Sequence, residues 1–131
     1  MTNPSDPLAL AQALIRAASV TPAGPAVFDV LEAALGEIGF RVDRFIAGEA
    51  PDGPVENLIA VRGSGSAGAG QHLAFAGHLD VVPPGEGWTA SPWSGEVRGA
   101  MLYGRGAVDM QRSEACMLTG HIVTPAVFPR A

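Results

Sequence analysis

Cysteine is almost absent from this chain: Cys116 is the single one. An internal disulfide is therefore excluded, and a reducing compartment is the natural expectation. Charge is also scarce, at 16% of residues, and 8 basic side chains against 13 acidic ones give a net charge of −5. That balance offers no electrostatic footprint for nucleic acid or an anionic membrane, so neither is an expected partner. No apolar run approaches the ~18 residues that suggest a membrane span. The start, Met1-Thr2-Asn3-Pro4-Ser5-Asp6, has no basic segment followed by an apolar one, so no secretory signal is expected. The cytoplasm is the expected location. The glycine-rich stretch 63–70 contains no Gly-Lys-Ser/Thr, which excludes a phosphate-binding P-loop.

What is present suits one modest globular domain. The chain has 131 residues, and hydrophobic side chains make up 47% of them. Asp6-Pro7 reads as a helix start, with Asp6 as cap and Pro7 in the first position. Leu8, Ala11, Ile15 and Ala18 then recur at helical spacing, and Ser19-Val20-Thr21-Pro22 ends the helix with no role beyond packing. Pro25 opens a second helix with an apolar stripe of Val27, Val30, Leu31, Ala34, Leu35 and Ile38. Gly39 is placed to cap it. Strands are expected over 40–45 and 57–62, with a loop over 48–54 between them. The stretch 63–70 reads as a hairpin or surface turn, and His72 follows it at a strand start with no assigned role. Two short strands are expected at 96–98 and 101–103, around Gly99-Ala100.

One stretch stands apart: Leu73-Ala74-Phe75-Ala76-Gly77-His78-Leu79-Asp80-Val81-Val82-Pro83-Pro84-Gly85. Its apolar start predicts a strand covered on both faces, as in the parallel sheet of an α/β protein. Pro83-Pro84-Gly85 ends it, because proline cannot donate to a ladder. Residues two apart on a strand share a face, so His78 and Asp80 look toward one site. Open α/β sheets place their chemistry at such strand ends. Imidazole is the commonest metal ligand type, and a carboxylate beside it can accept its second N–H. Taken alone, the pair reads as a strand-end histidine beside a turn-forming aspartate.

The downstream sequence turns that reading toward a metal. Gly87-Trp88-Thr89-Ala90-Ser91-Pro92-Trp93-Ser94-Gly95 is followed by Leu102-Tyr103-Gly104-Arg105-Gly106-Ala107-Val108-Asp109-Met110. With the His78 stretch, these three motifs in this order resemble the amino-terminal part of the two-zinc amidohydrolase superfamily of aminoacylase, acetylornithine deacetylase and carboxypeptidase. Pro83-Pro84-Gly85, and Gly106-Ala107 before Val108-Asp109, favour its desuccinylase branch, whose members release succinate from an N-succinyl amine. The fold class implied is α/β: part of a zinc-exopeptidase-like catalytic domain, a mixed sheet flanked by helices.

The resemblance also implies roles. His78 would bind one of two zinc ions, Asp109 would bridge both, and Asp80 would orient His78. Cobalt is possible in one of the two metal positions. The peptide after Asp109 would be cis. The substrate would be a small N-acyl amino acid, and the family forms homodimers through a domain not matched here. Without the resemblance, Asp109 reads as a cap of the helix expected over 111–118. Arg105 is expected to brace its turn through hydrogen bonds, and the tryptophans Trp88 and Trp93 to pack. Glu114 is expected to point away from the site.

The chain also departs from the family. Met110-Gln111-Arg112 stands where Met-Lys-Gly is usual, and residues from Gly120 to Ala131 match no family pattern. The expected division is a partial catalytic domain over 1–118 and an atypical tail over 119–131, from a truncated or frame-shifted reading frame. The family's general base and remaining ligands have no counterpart here, so this chain alone is expected to be inactive. Alternatives are another deacylase or metallopeptidase of the superfamily, or a non-catalytic product.

Overall fold

The computed structural model describes residues 6–63 and 73–123, with side chains through Thr119. His72, the His121 side chain and most of the glycine-rich stretch lie outside these descriptions. Among the described residues the order is α1 (Pro7–Arg16), α2 (Pro25–Glu37), β1 (Arg41–Ala47), β2 (Val55–Val61), β3 (Glu96–Arg98), β4 (Met101–Tyr103) and α3 (Gln111–Val123). The mixed α/β class is borne out.

α1 begins where Asp6-Pro7 dictates. Asp6 Oδ1 accepts from the amides of Leu8 at 2.9 Å and Ala9 at 3.3 Å. That satisfies donors no carbonyl inside the helix can reach. The buried stripe is Leu10, Ala11, Leu14 and Ile15, whereas Leu8 is 43% exposed. Of the expected stripe, Ala11 and Ile15 are buried, Leu8 is exposed in the first turn, and Ala18 lies beyond the helix end at Arg16. α2 ends in paired hydrogen bonds: Gly39 N–H to Gly36 O at 3.0 Å and Phe40 N–H to Leu35 O at 3.0 Å. This is the Schellman arrangement, with Gly39 as the residue past the cap.

α1 packs against both α2 and α3. Leu10, Ala11 and Leu14 meet Val27, Phe28, Leu31, Ala34 and Leu35 from α2, Leu79, and Ala115 from α3. β1 and β2 form an antiparallel pair, and β3 and β4 another. Arg44 fastens the first pair to α2. Its guanidinium bonds Asp29 at 2.6 Å and Glu32 at 3.0 Å on α2, and Glu56 at 2.6 Å on β2. It also lies 5.5 Å over the Phe28 ring. These bonds, Asp29 first, push its pKa further above the ordinary arginine value. The face of β1 toward α2 therefore carries Val42 and a paired arginine, while Phe45 stays exposed.

Two sequence expectations need correction. The run 73–80 forms no ladder strand, and Leu73 and Phe75 are more than half exposed. Among the described residues the nearest sheet contact is a parallel bridge between Val20 and Val81, just past the run. A fully covered strand needs neighbours on both sides, and no described strand supplies them. The last helix does not stop at Leu118 but runs through Gly120 to Val123. A single glycine in a helix costs only about 1 kcal/mol, which helix packing overrides.

The burial pattern sets a test of the core. Leu14→Ala should cost about 2–5 kcal/mol of unfolding free energy by urea titration, through lost burial and a residual cavity. Leu8→Ala should cost under about 0.5 kcal/mol, as for other surface changes.

Candidate metal centre

The site is built where the chain leaving α1 meets residues 79–81. Val81 N–H donates to Ser19 O at 2.9 Å, and Thr21 N–H donates to Val81 O at 3.1 Å. The Ser19 hydroxyl donates to Leu79 O at 2.6 Å and accepts from Gln111 Nε2 at 3.0 Å. Ser19 and Gln111 are fully buried, so this polar chain ties α1, the His78 stretch and α3 together inside the protein. Leu79 and Val81 point into the core. By the strand alternation, His78 and Asp80 then face outward together.

Asp80 holds the imidazole on one side. His78 Nδ1 lies 3.0 Å from the Asp80 carbonyl and 3.2 Å from Asp80 Oδ1. Both are acceptors, which places the proton on Nδ1. The other nitrogen, Nε2, lies 3.4 Å from Asp109 Oδ1. Burial lowers the His78 pKa and is the largest single influence. The Asp80 carbonyl and the Asp80 and Asp109 carboxylates together outweigh it, so the net direction is upward from 6.5. Thr21 Oγ1 donates to the second Asp80 oxygen at 2.6 Å.

Asp109 arrives on the turn between β4 and α3. Its side chain is 84% exposed and faces the cleft instead of capping α3. The Asp109–Met110 peptide is cis, as the resemblance implied. Gly106 shapes this turn at φ +87°, and its carbonyl accepts from the Gln111 amide at 3.1 Å. A Cβ there would fall 2.6 Å from Gln111 Oε1 and 2.9 Å from Val81 Cγ1, so only glycine fits. Arg105 braces the turn as expected. Its guanidinium bonds Pro84 O at 2.7 Å, its amide bonds Pro92 O at 2.7 Å, and it stacks 5.6 Å from the Trp88 ring. The Trp88 indole N–H meets the same Pro84 carbonyl at 2.8 Å.

His78, Asp80, Arg105 and Asp109 thus line one cleft of about 250 Å³. Its donor set suits a borderline-soft divalent cation: one imidazole nitrogen and one carboxylate converge, and the far imidazole nitrogen is already engaged. Two such side chains hold part of a coordination shell. No third histidine, cysteine, aspartate or glutamate joins them among the described residues.

Glu114 stays out of the cleft lining, as expected, but it is buried. It is only 8% exposed and lies against Gly77, where a Cβ would be 2.7 Å from its Oε1. Its Oε2 is buried and has no hydrogen-bond partner among the described residues. Desolvation, chiefly, raises its pKa from 4.5 to about 7. Sequence periodicity missed its burial because a short helix with so little amphipathic bias presents no clear polar face. Ser19, Thr21 and Gln111 were missed too, since each gains its role from a partner at least 59 residues away.

The comparisons with known proteins agree with the motifs. Residues 74–122, which carry the cleft, match the family described as Peptidase family M20/M25/M40. Succinyl-diaminopimelate desuccinylase of Novosphingobium aromaticivorans is 60% identical over 92% of this chain and 32% of its own length. The protein of that name from Sphingopyxis alaskensis is 60% identical over 95% of this chain and 32% of its own. That from Zymomonas mobilis is 47% identical over 90% and 30%. The resemblance read from the three motifs is borne out, and the chain spans about a third of the length of the curated relatives it matches.

The buried Glu114 carboxyl sets a pH test on the metal-free chain. Its folded pKa, about 7, lies above the ordinary 4.5. Its contribution is therefore complete below the unfolded value and is lost as pH rises through the folded one. Unfolding free energy should fall by up to about 3 kcal/mol between these limits. Glu114→Gln should remove that slope in urea titrations across the range. The His78 contribution, also lost as pH rises through its raised pKa, should remain.

Proposed function

We propose that this chain supplies the first metal ligands of a zinc-dependent amide hydrolase of the desuccinylase type. The reaction would be hydrolysis of N-succinyl-LL-2,6-diaminopimelate to succinate and LL-2,6-diaminopimelate. The observation that carries the reading is the 3.4 Å approach of His78 Nε2 to Asp109 Oδ1. Two electron-rich atoms facing each other need a proton or a cation between them. His78 Nε2 and Asp109 would hold that cation, with Asp109 free to offer its second oxygen to another zinc or cobalt. Asp80 would keep the His78 proton on Nδ1 and so keep Nε2 available. A bound zinc supplies Lewis-acid polarisation of the amide carbonyl and a water with its pKa lowered to about 7. Arg105 would stay with the turn, since Pro84 and Trp88 already engage it.

The 60% identity to proteins named for desuccinylation supports the succinyl substrate. Residues 1–118 would form part of a catalytic domain and 119–131 an atypical tail, although α3 and the family match, which runs to residue 122, both cross that boundary. No described helix is long and apolar enough to cross a membrane, and the substrate is a small molecule. Homodimerisation, which the resemblance implies, would use a domain that the matched residues do not include.

A chelator-competition titration with zinc tests the ligand set. His78→Ala and Asp109→Asn should each weaken binding at least tenfold, and parental affinity should rise with pH as the imidazole loses its proton. Unchanged affinity in both variants would remove the reading. The two side chains that converge among the described residues fall short of the three that a catalytic zinc normally takes. With zinc and N-succinyl-diaminopimelate, the 131-residue chain should therefore show turnover far below the ~1 s⁻¹ of ordinary enzymes.

A further inference from the structure

We infer that Thr21 is a positioning residue for His78, acting through the Asp80 carboxylate; this rests on the proposed metal reading of the cleft. Asp80 is partly exposed and linked to the backbone through two rotatable bonds. Left alone, its carboxylate could turn away from the imidazole. Its two oxygens are instead divided between two partners. Oδ1 lies 3.2 Å from His78 Nδ1, and Oδ2 accepts the Thr21 hydroxyl at 2.6 Å. A hydroxyl bond to a carboxylate is charge-assisted and about twice as strong as a neutral one.

The hydroxyl comes from a fixed point. Thr21 N–H is pinned to Val81 O at 3.1 Å, one residue beyond Asp80. A β-branched side chain also has a stiff χ1. The alternative acceptor, the Val81 carbonyl, lies further off at 3.3 Å. Thr21 thus sets the carboxylate, the carboxylate and the Asp80 carbonyl set the Nδ1–H tautomer, and the tautomer leaves Nε2 as a lone pair toward Asp109. Outer partners of ligand histidines typically govern affinity by 10–100-fold. One layer further out, the lower end of that range is the expectation.

Thr21→Val removes the hydroxyl at nearly constant shape, and Thr21→Ser restores it. By chelator competition, Thr21→Val should weaken zinc about tenfold, while Thr21→Ser stays within about threefold of the parent. A second readout needs no metal. Nitrogen NMR of the metal-free chain, with His78 neutral, should show the Nδ1–H tautomer in the parent and in Thr21→Ser. Thr21→Val should show a mixture of tautomers. Thr21→Ala serves as the hydroxyl-free variant if valine disturbs the fold, which the amide spectrum reports. A parental tautomer and parental affinity in the hydroxyl-free variant would overturn the inference, as would equal losses in Thr21→Ser. If His78→Ala and Asp109→Asn leave zinc binding intact, the metal reading fails, and the tautomer measurement still judges Thr21 separately.

Discussion

The parallel contact between residues 19–21 and 79–81 is the constraint on which the structure turns. It is a single bridge by strand pairing, yet it gathers two backbone hydrogen bonds and two hydroxyl bonds. The helix α1 is seated by Leu10, Leu14 and Ile15, so its far end presents Ser19 and Thr21 at a set place. Gln111 then ties the start of α3 to Ser19. α1 also holds the opposite wall of the molecule: Gln12 Nε2 donates to Gly95 O at 2.6 Å and Arg16 Nε to Ser94 O at 3.0 Å. One helix therefore positions the His78 stretch and the approach to β3 alike.

Local chemistry made much of this readable from the residues. Asp6-Pro7, Gly39 and the Gly99-Ala100 turn act through neighbours in sequence, and each appears where its mechanism requires. His78, Asp80 and Asp109 could be singled out because short motifs carry them, and the structure brings them to one cleft. What could not be read depends on distant partners. A continuous apolar run says that a strand wants cover, not that cover is present, and 73–80 stays outside any ladder among the described residues. Glu114 sits within a helix whose sequence gave no reason to bury a carboxylate. Its burial follows from the missing side chain at Gly77, which leaves room for it.

Among the described residues, the buried oxygens Gln111 Oε1 and Glu114 Oε2 have no hydrogen-bond partner. Unpaired buried acceptors ordinarily cost about 1–3 kcal/mol. Both belong to the first turn of α3, directly after the turn that delivers Asp109. The start of α3 is thus less stable than an apolar core of the same shape, a common feature near sites that must place charged groups.

The pinning of 79–81 has an entropic side. Fixing the backbone of one residue costs roughly 1–2 kcal/mol of conformational freedom. For Leu79, Asp80 and Val81 that cost is met when α1 and its following turn dock, before any ligand arrives. Whatever settles on His78 gains a histidine already held in place. The stretch 73–77 has no such prior payment among the described residues, and its apolar side chains stand in water. A group binding against Phe75 would have to order that backbone itself, and its affinity would fall below what the buried area alone suggests.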